Sequence, residues 1–219
     1  MLLKKAGVVT LYISPKFFYI PAMPYLALLA LLNTTIFAQL QGSFTDSRDG
    51  KVYKTAKIGK QTWMAENLNY DTTGSQCYND SISYCDKYGR LYDWETAMKA
   101  CPNGWHLPSY NEWTALIKFA GGEKKAGAKL KAASGWSDSG NGTDNYGFAA
   151  LPGGFGNNRH FYWVGQQSSW WTATKCPVKS PEKRCSENSA YYWFIMSIGY
   201  TSDYAKKPYY LQSVRCLKD

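Results

Sequence analysis

Ala100-Cys-Pro-Asn-Gly-Trp-His-Leu-Pro-Ser-Tyr-Asn-Glu-Trp113 is the stretch on which the fold turns. Pro102-Asn103-Gly104 cannot continue a helix, so it closes one that runs from Asp93 to Ala100, with Asp93 as its cap. Ser109-Tyr-Asn-Glu112 is a capping box, Ser at the N-cap and Glu three residues later, and it opens the next helix. Trp113, Leu116, Ile117 and Ala120 then recur at helical spacing, and Gly121-Gly122 stops them. Lys124 to Ala133 is expected to form one more helix, with Ala126 and Leu130 inward.

The texture differs on either side. Upstream, Val52 to Ile58 and Gln61 to Met64 flank Gly59-Lys60, which reads as a hairpin. Asp71 to Lys87 is polar and turn-rich and is expected to be a loop. From Gly135 onward glycines, asparagines and aromatics alternate with short β-like runs: Phe148 to Leu151, Ser169 to Thr172, Tyr191 to Met196 and Gln212 to Arg215. A hairpin, a few short helices and then many short strands predict an α+β domain with an irregular antiparallel sheet. Its C-terminal strand is expected to return beside an early one.

The N-terminus has Lys4 and Lys5, an apolar run from Tyr25 to Leu32, and Thr35-Ile-Phe-Ala38 before the polar Gln39. That is the order of a secretory signal peptide over residues 1–38, with cleavage after Ala38. The rival is a retained anchor, since residues 17–38 are 22 positions without a charge, enough to span a bilayer. No cysteine follows the run, so a lipid-attachment site is absent there. Both readings export the remainder: a short linker at 39–48, then a single domain at 49–219. The formal charge is +9, but Lys4, Lys5 and Lys16 sit in a leader with no acids, which leaves +6 for the rest. No basic run exceeds two residues, so no nucleic-acid partner is expected, and membrane contact only through an uncleaved leader.

All six cysteines follow the leader: Cys77, Cys85, Cys101, Cys176, Cys185 and Cys216. An even count in an exported chain reads as a disulfide framework, for which six cysteines allow fifteen pairings. Local closure is easy for Cys77–Cys85 and for Cys176–Cys185, which leaves Cys101–Cys216. Zinc binding wants pairs two to four residues apart, and none exists. With every cysteine used, no thiol is spare for catalysis.

Several stretches taken in order resemble the Fibrobacter succinogenes major paralogous domain, a family found on bacterial exported proteins. They include Gln61-Thr-Trp-Met-Ala-Glu-Asn-Leu68, Tyr88-Gly-Arg-Leu-Tyr-Asp-Trp94, Ala100 to Ser109, Glu112-Trp113, Asp144-Asn-Tyr-Gly-Phe148, Leu151-Pro-Gly-Gly154, Trp170-Trp-Thr-Ala-Thr174 and Ser213-Val-Arg-Cys216. The resemblance implies a C-type-lectin-like, formylglycine-generating-enzyme-like fold and brings no established activity. In the formylglycine-generating enzymes, the cysteines resembling Cys101 and Cys216 form a structural bridge, which agrees with the pairing above. Their copper-binding thiols follow Cys-x4-Cys. Cys176 and Cys185 are nine apart, so that oxidase activity is not expected here.

Candidate sites follow from composition. Eighteen tyrosines, nine tryptophans and nine phenylalanines are more than a core of this size needs, and each buried tyrosine hydroxyl requires a partner. An aromatic, loop-built face is therefore expected from Tyr162, Trp163, Trp171, Tyr192, Trp193, Tyr204 and Tyr209. Trp170 and Trp171 are adjacent, so in a strand they face opposite sides, one to the core and one outward. Asp138, Asn141 and Asp144 form an oxygen-rich cluster that would suit calcium, against the plainer reading of Asx turns. His106 is expected to fix the turn before its helix. His160 is expected in an exposed loop. No cofactor is otherwise implied. These features describe an exported, non-enzymatic surface module that contacts a polysaccharide or a surface protein. The alternatives are a structural envelope protein and a formylglycine-type oxidase.

Overall fold

The computed structural model describes residues 41–157, 160–177, 185, 188–199, 201–206 and 208–219. The expected signal peptide and most of the stretch between Cys176 and Cys185 lie outside the described residues. The chain order is β1 (Gln41–Thr45), β2 (Val52–Ile58), β3 (Gln61–Met64), β4 (Ser75–Gln76), a 3-10 turn (Tyr78–Asp80), α1 (Ile82–Tyr88), β5 (Leu91–Tyr92) and α2 (Trp94–Ala100). It continues with β6 (Trp105–His106), α3 (Tyr110–Phe119), α4 (Glu123–Leu130), β7 (Phe155–Gly156), β8 (Phe161–Tyr162), β9 (Gln167–Lys175), β10 (Ala190–Met196), β11 (Thr201–Lys206), β12 (Gln212–Ser213) and β13 (Leu217–Lys218). The architecture is α+β, as the sequence predicts.

Local signals explain most of the elements. The α2 cap is Asp93, whose Oδ1 accepts from Thr96 N at 2.8 Å. The α3 capping box is complete: Ser109 Oγ accepts from Glu112 N, and Ser109 N donates to Glu112 Oε2 at 2.7 Å. Gly59, at φ +60°, turns β2 into β3.

One sheet runs β1-β2-β3-β13-β6 and another β11-β10-β9-β12-β5-β4. The short C-terminal stretch joins both. In it β12 lies parallel to β9 at Ser213–Trp170 and antiparallel to β5. Then β13 inserts between β3 and β6, with Leu217 opposite Trp63 and His106. The C-terminal strand thus does return beside an early one. The Cys101–Cys216 bridge, Cα to Cα 5.9 Å, fixes that stretch to the end of α2. Cys77–Cys85 and Cys176–Cys185 close the two local loops, and no cysteine is free.

Two apolar clusters lie on opposite faces of β9 and β10. On one face Trp170, Trp193 and Ile195 pack with Trp113, Leu116 and Ile117 of α3 and with Trp63 and Phe148. On the other, Trp171, Tyr192 and Phe194 pack with Trp94 and Ala97 of α2, Met64, Leu68 and Val214. Large side chains of this kind contribute roughly 1.5–3 kcal/mol each when fully buried.

Three expectations need correction. Residues 41–45, expected to be linker, form β1 along β2, and Phe44 stacks on Trp105 at 4.5 Å, so the folded domain starts before Asp49. The stretch Asp71 to Lys87, expected to be a loop, contains α1. Its inward face is only Tyr84, Cys85 and Tyr88 within two turns of helix, and the bridge at Cys85 adds an anchor. Trp171 is not available at the surface. The alternation rule holds, but both sides of β9 are covered, and Trp171 is 0% exposed.

Candidate functional site

The aromatic residues expected to form a face divide by burial. Trp171, Tyr192 and Trp193 lie in the central strands and are buried. Trp163 and Tyr209 are each 50% exposed, Tyr204 is 37% exposed, and Tyr162 is half-buried. Tyr162, Trp163 and Tyr209 come together through two residues the expectation leaves out, Phe155 and Tyr210, whereas Tyr204 stacks on Phe194 at 5.8 Å.

The β7–β8 hairpin builds this strip. Gly156 exchanges backbone hydrogen bonds with Leu211 at 2.8 and 2.9 Å, which sets the Tyr209–Tyr210 loop beside Phe155. Tyr162 stacks on Phe155 at 5.3 Å, Trp163 meets its edge at 6.0 Å, and Tyr210 lies 6.5 Å away. Tyr209 and Tyr210 stack at 5.2 Å. Lys206 places its ammonium 4.3 Å from the Tyr210 ring centre and 5.5 Å from that of Phe155. Tyr204 is two residues from Lys206 on β11 and so shares its side of the strand. The loop residue His160 borders the strip, 6.4 Å from Tyr162. The one available signal for Phe155 is its setting in Gly153-Gly-Phe-Gly156, where the neighbouring residues carry no side chains to cover the ring.

Trp163 is the unusual member. Its φ is +61°, a left-handed conformation that bulky residues rarely adopt. A turn holds it there: Gln166 N and Gln167 N both donate to Trp163 O, at 3.0 and 2.9 Å. Such strain costs on the order of 1–3 kcal/mol and gathers at ligand-contacting positions. Here it keeps a large apolar ring in water, where hydrophobic burial alone would not leave it.

Two members of the oxygen-rich cluster accept from backbone donors. Asn141 Oδ1 accepts from Trp136 N at 3.0 Å, and Asp144 Oδ1 from Ala149 N at 2.9 Å, while Asp138 is exposed with φ +56°. These are the Asx contacts of a folded loop. Among the described residues, no three His, Cys, Asp or Glu side chains stand together as a metal-binding group.

His106 does fix its turn. Nδ1 lies 2.6 Å from Asp219 Oδ1 and Nε2 3.1 Å from Glu112 Oε1. Partial burial pulls its pKa down, but the hydrogen bonds to Asp219 and Glu112 outweigh that and raise it above the ordinary imidazole range. A raised folded-state pKa stabilises fully below the unfolded value, about 6.5, and the contribution is lost as pH rises through the folded value. The unfolding free energy is therefore expected to fall from about pH 6.5 upward, and His106→Gln to flatten that slope. Urea denaturation of both proteins across this range checks it. An equal slope in the two would show that another group governs the trend.

A disulfide-stapled α+β domain with a solvent-facing aromatic strip is the class of protein that the fold and the site define. Three bridges point to an oxidising compartment outside the cytoplasm. Among the described residues, no helix is long and apolar enough to cross a membrane. The chain belongs to the Fibrobacter succinogenes major domain family, whose model matches residues 56–218. No curated protein and no solved structure matches it.

Proposed function

We propose that the protein is an exported, non-enzymatic binding module on a C-type-lectin-like scaffold. It works at the cell surface and holds a polysaccharide against Trp163, Phe155, Tyr162, Tyr209 and Tyr210. The observation that carries this reading is Trp163, a half-exposed ring held by a strained turn against Phe155 of an aromatic strip. Flat apolar faces stack on the C–H faces of sugar rings, and Tyr hydroxyls and the Lys206 ammonium supply polar contacts beside them. The strip lies on loops carried by a cross-linked scaffold, so little ordering entropy opposes binding. The bridged cysteines speak against the thiol-dependent oxidase alternative, since none is free as a thiol.

The test is retention on insoluble polysaccharides. Trp163→Asn keeps a residue that tolerates the left-handed turn and removes the ring. Together with Tyr209→Ala it is expected to weaken retention about tenfold or more, at unchanged thermal stability. Retention by the double variant equal to the parent on every retaining polysaccharide would remove the strip from the function.

A further inference from the structure

Arg215 lies in the lining of a cavity of about 500 Å³, to which no residue of the aromatic strip contributes, and is only 1% exposed. Its partners are neutral. Nε and Nη2 donate to Asn67 Oδ1 at 3.0 and 2.8 Å, and Nη1 donates to Phe148 O. The guanidinium stacks over the Phe148 ring at 4.3 Å. A guanidinium carries five N–H donors, so one hydrogen on each terminal nitrogen has no acceptor among the described residues. Among the described residues no carboxylate forms an ion pair with it, although Asp144 and Glu66 also line the cavity.

A buried cation with only neutral partners is costly, because the lost hydration is not replaced by an opposite charge. Burial accordingly lowers the Arg215 pKa to about 9, against weaker opposing influences from Glu66 and Asp144. The Asp144 carboxyl is itself raised by burial and is held by Ala149 N. The wall beside it is strained at two residues that are not glycine, Asp144 at φ +43° and Ala149 at φ +49°. Lys54 and Lys87 stand exposed on the rim with Glu66 and Asp86.

We propose that this cavity binds a small carboxylate, whose two oxygens accept from the free hydrogens on Nη1 and Nη2 of Arg215. A carboxylate matches that fork in shape and supplies the missing counter-charge. The site is independent of the aromatic strip, and its occupant is a small anion, not a polymer.

Sodium acetate is the probe, with sodium chloride at the same ionic strength as the control. The readout is the guanidinium ¹⁵N resonances of Arg215 in the intact protein, identified by the slow solvent exchange of a side chain only 1% exposed. The expected result is a saturable shift with acetate in the millimolar range and none with chloride, with a rise in Tm that Arg215→Lys lacks. No saturable shift with acetate, or the same shift with both salts, overturns the proposal. The titration needs only the parent protein, so it stands even if Arg215→Lys fails to fold.

Discussion

Serine at both Cys101 and Cys216 is expected to lower the unfolding free energy by about 5 kcal/mol. The bridge spans a sequence separation of 115, and the chain-entropy cost of closing a loop that long sets the figure. A domain of this size has a total stability of roughly 5–15 kcal/mol, so the variant would lose a third of it or more. Position adds to length. Cys216 sits between β12 and β13, the stretch that joins both sheets, and it is fully buried in the cluster around Met64 and Val214. The comparison is Cys77 and Cys85 replaced together. That bridge closes a separation of only eight and should cost roughly 2–3 kcal/mol. Urea midpoints of the two variants decide the order, and equal losses would mean the long bridge does not pin the C-terminal stretch.

The second large effect is expected at Asn67. This buried amide uses both ends. Its Oδ1 accepts from Arg215 Nε, from Arg215 Nη2 and from Trp170 Nε1 at 2.8 Å. Its Nδ2 donates to Tyr88 O at 2.8 Å and to Ser213 Oγ at 3.3 Å. It therefore links the segment after β3 to α1, β9 and the C-terminal stretch. Gly89 makes room for it: at φ +77°, a Cβ there would lie 2.9 Å from Asn67 O. Asn67→Ala leaves the Arg215 guanidinium and the Trp170 indole without their side-chain acceptor, at an expected cost of about 3–5 kcal/mol. Much of that is the penalty on the stranded cation. Adding Arg215→Met should therefore cost less than the sum of the single changes, by about 1–3 kcal/mol. Denaturation of the two singles and the double measures this coupling, and strict additivity would contradict the network.

Local signals in the sequence reach their elements with little loss. The Ser109–Glu112 capping box, the Asp93 cap and the Gly59 turn depend on a few adjacent residues, and each stands where its pattern predicts. Cys101–Cys216 was reachable because the two short spacings leave no other partner. The α1 helix was not legible, since at seven residues its inward face, Tyr84, Cys85 and Tyr88, is too short for a period to register among polar neighbours. β7 and β8 are two-residue strands, too short for alternation to register.

The candidate site was legible in kind and not in membership. Composition pointed to surplus aromatics, and Tyr162, Trp163, Tyr204 and Tyr209 do reach solvent. Trp171, Tyr192 and Trp193 do not, because coverage of both faces of a sheet is a tertiary fact that no strand's own pattern states. Phe155 joins the strip through a long-range pairing of Gly156 with Leu211, which sequence spacing cannot show. Asn67 and Arg215 lay inside motifs that carried the family resemblance, yet only the structure shows that they meet.

Nine tryptophan indole N–H resonances make the binding reading directly testable, because Trp163 is the only tryptophan among the large exposed side chains. The measurement is a titration of the protein with soluble fragments of a polysaccharide that retains it, followed through those indole signals. The account predicts a saturable shift of the Trp163 indole while the signals of Trp63, Trp113, Trp170 and Trp171 stay in place. A bound polysaccharide that leaves Trp163 unmoved, or no polysaccharide that moves it, would contradict the account.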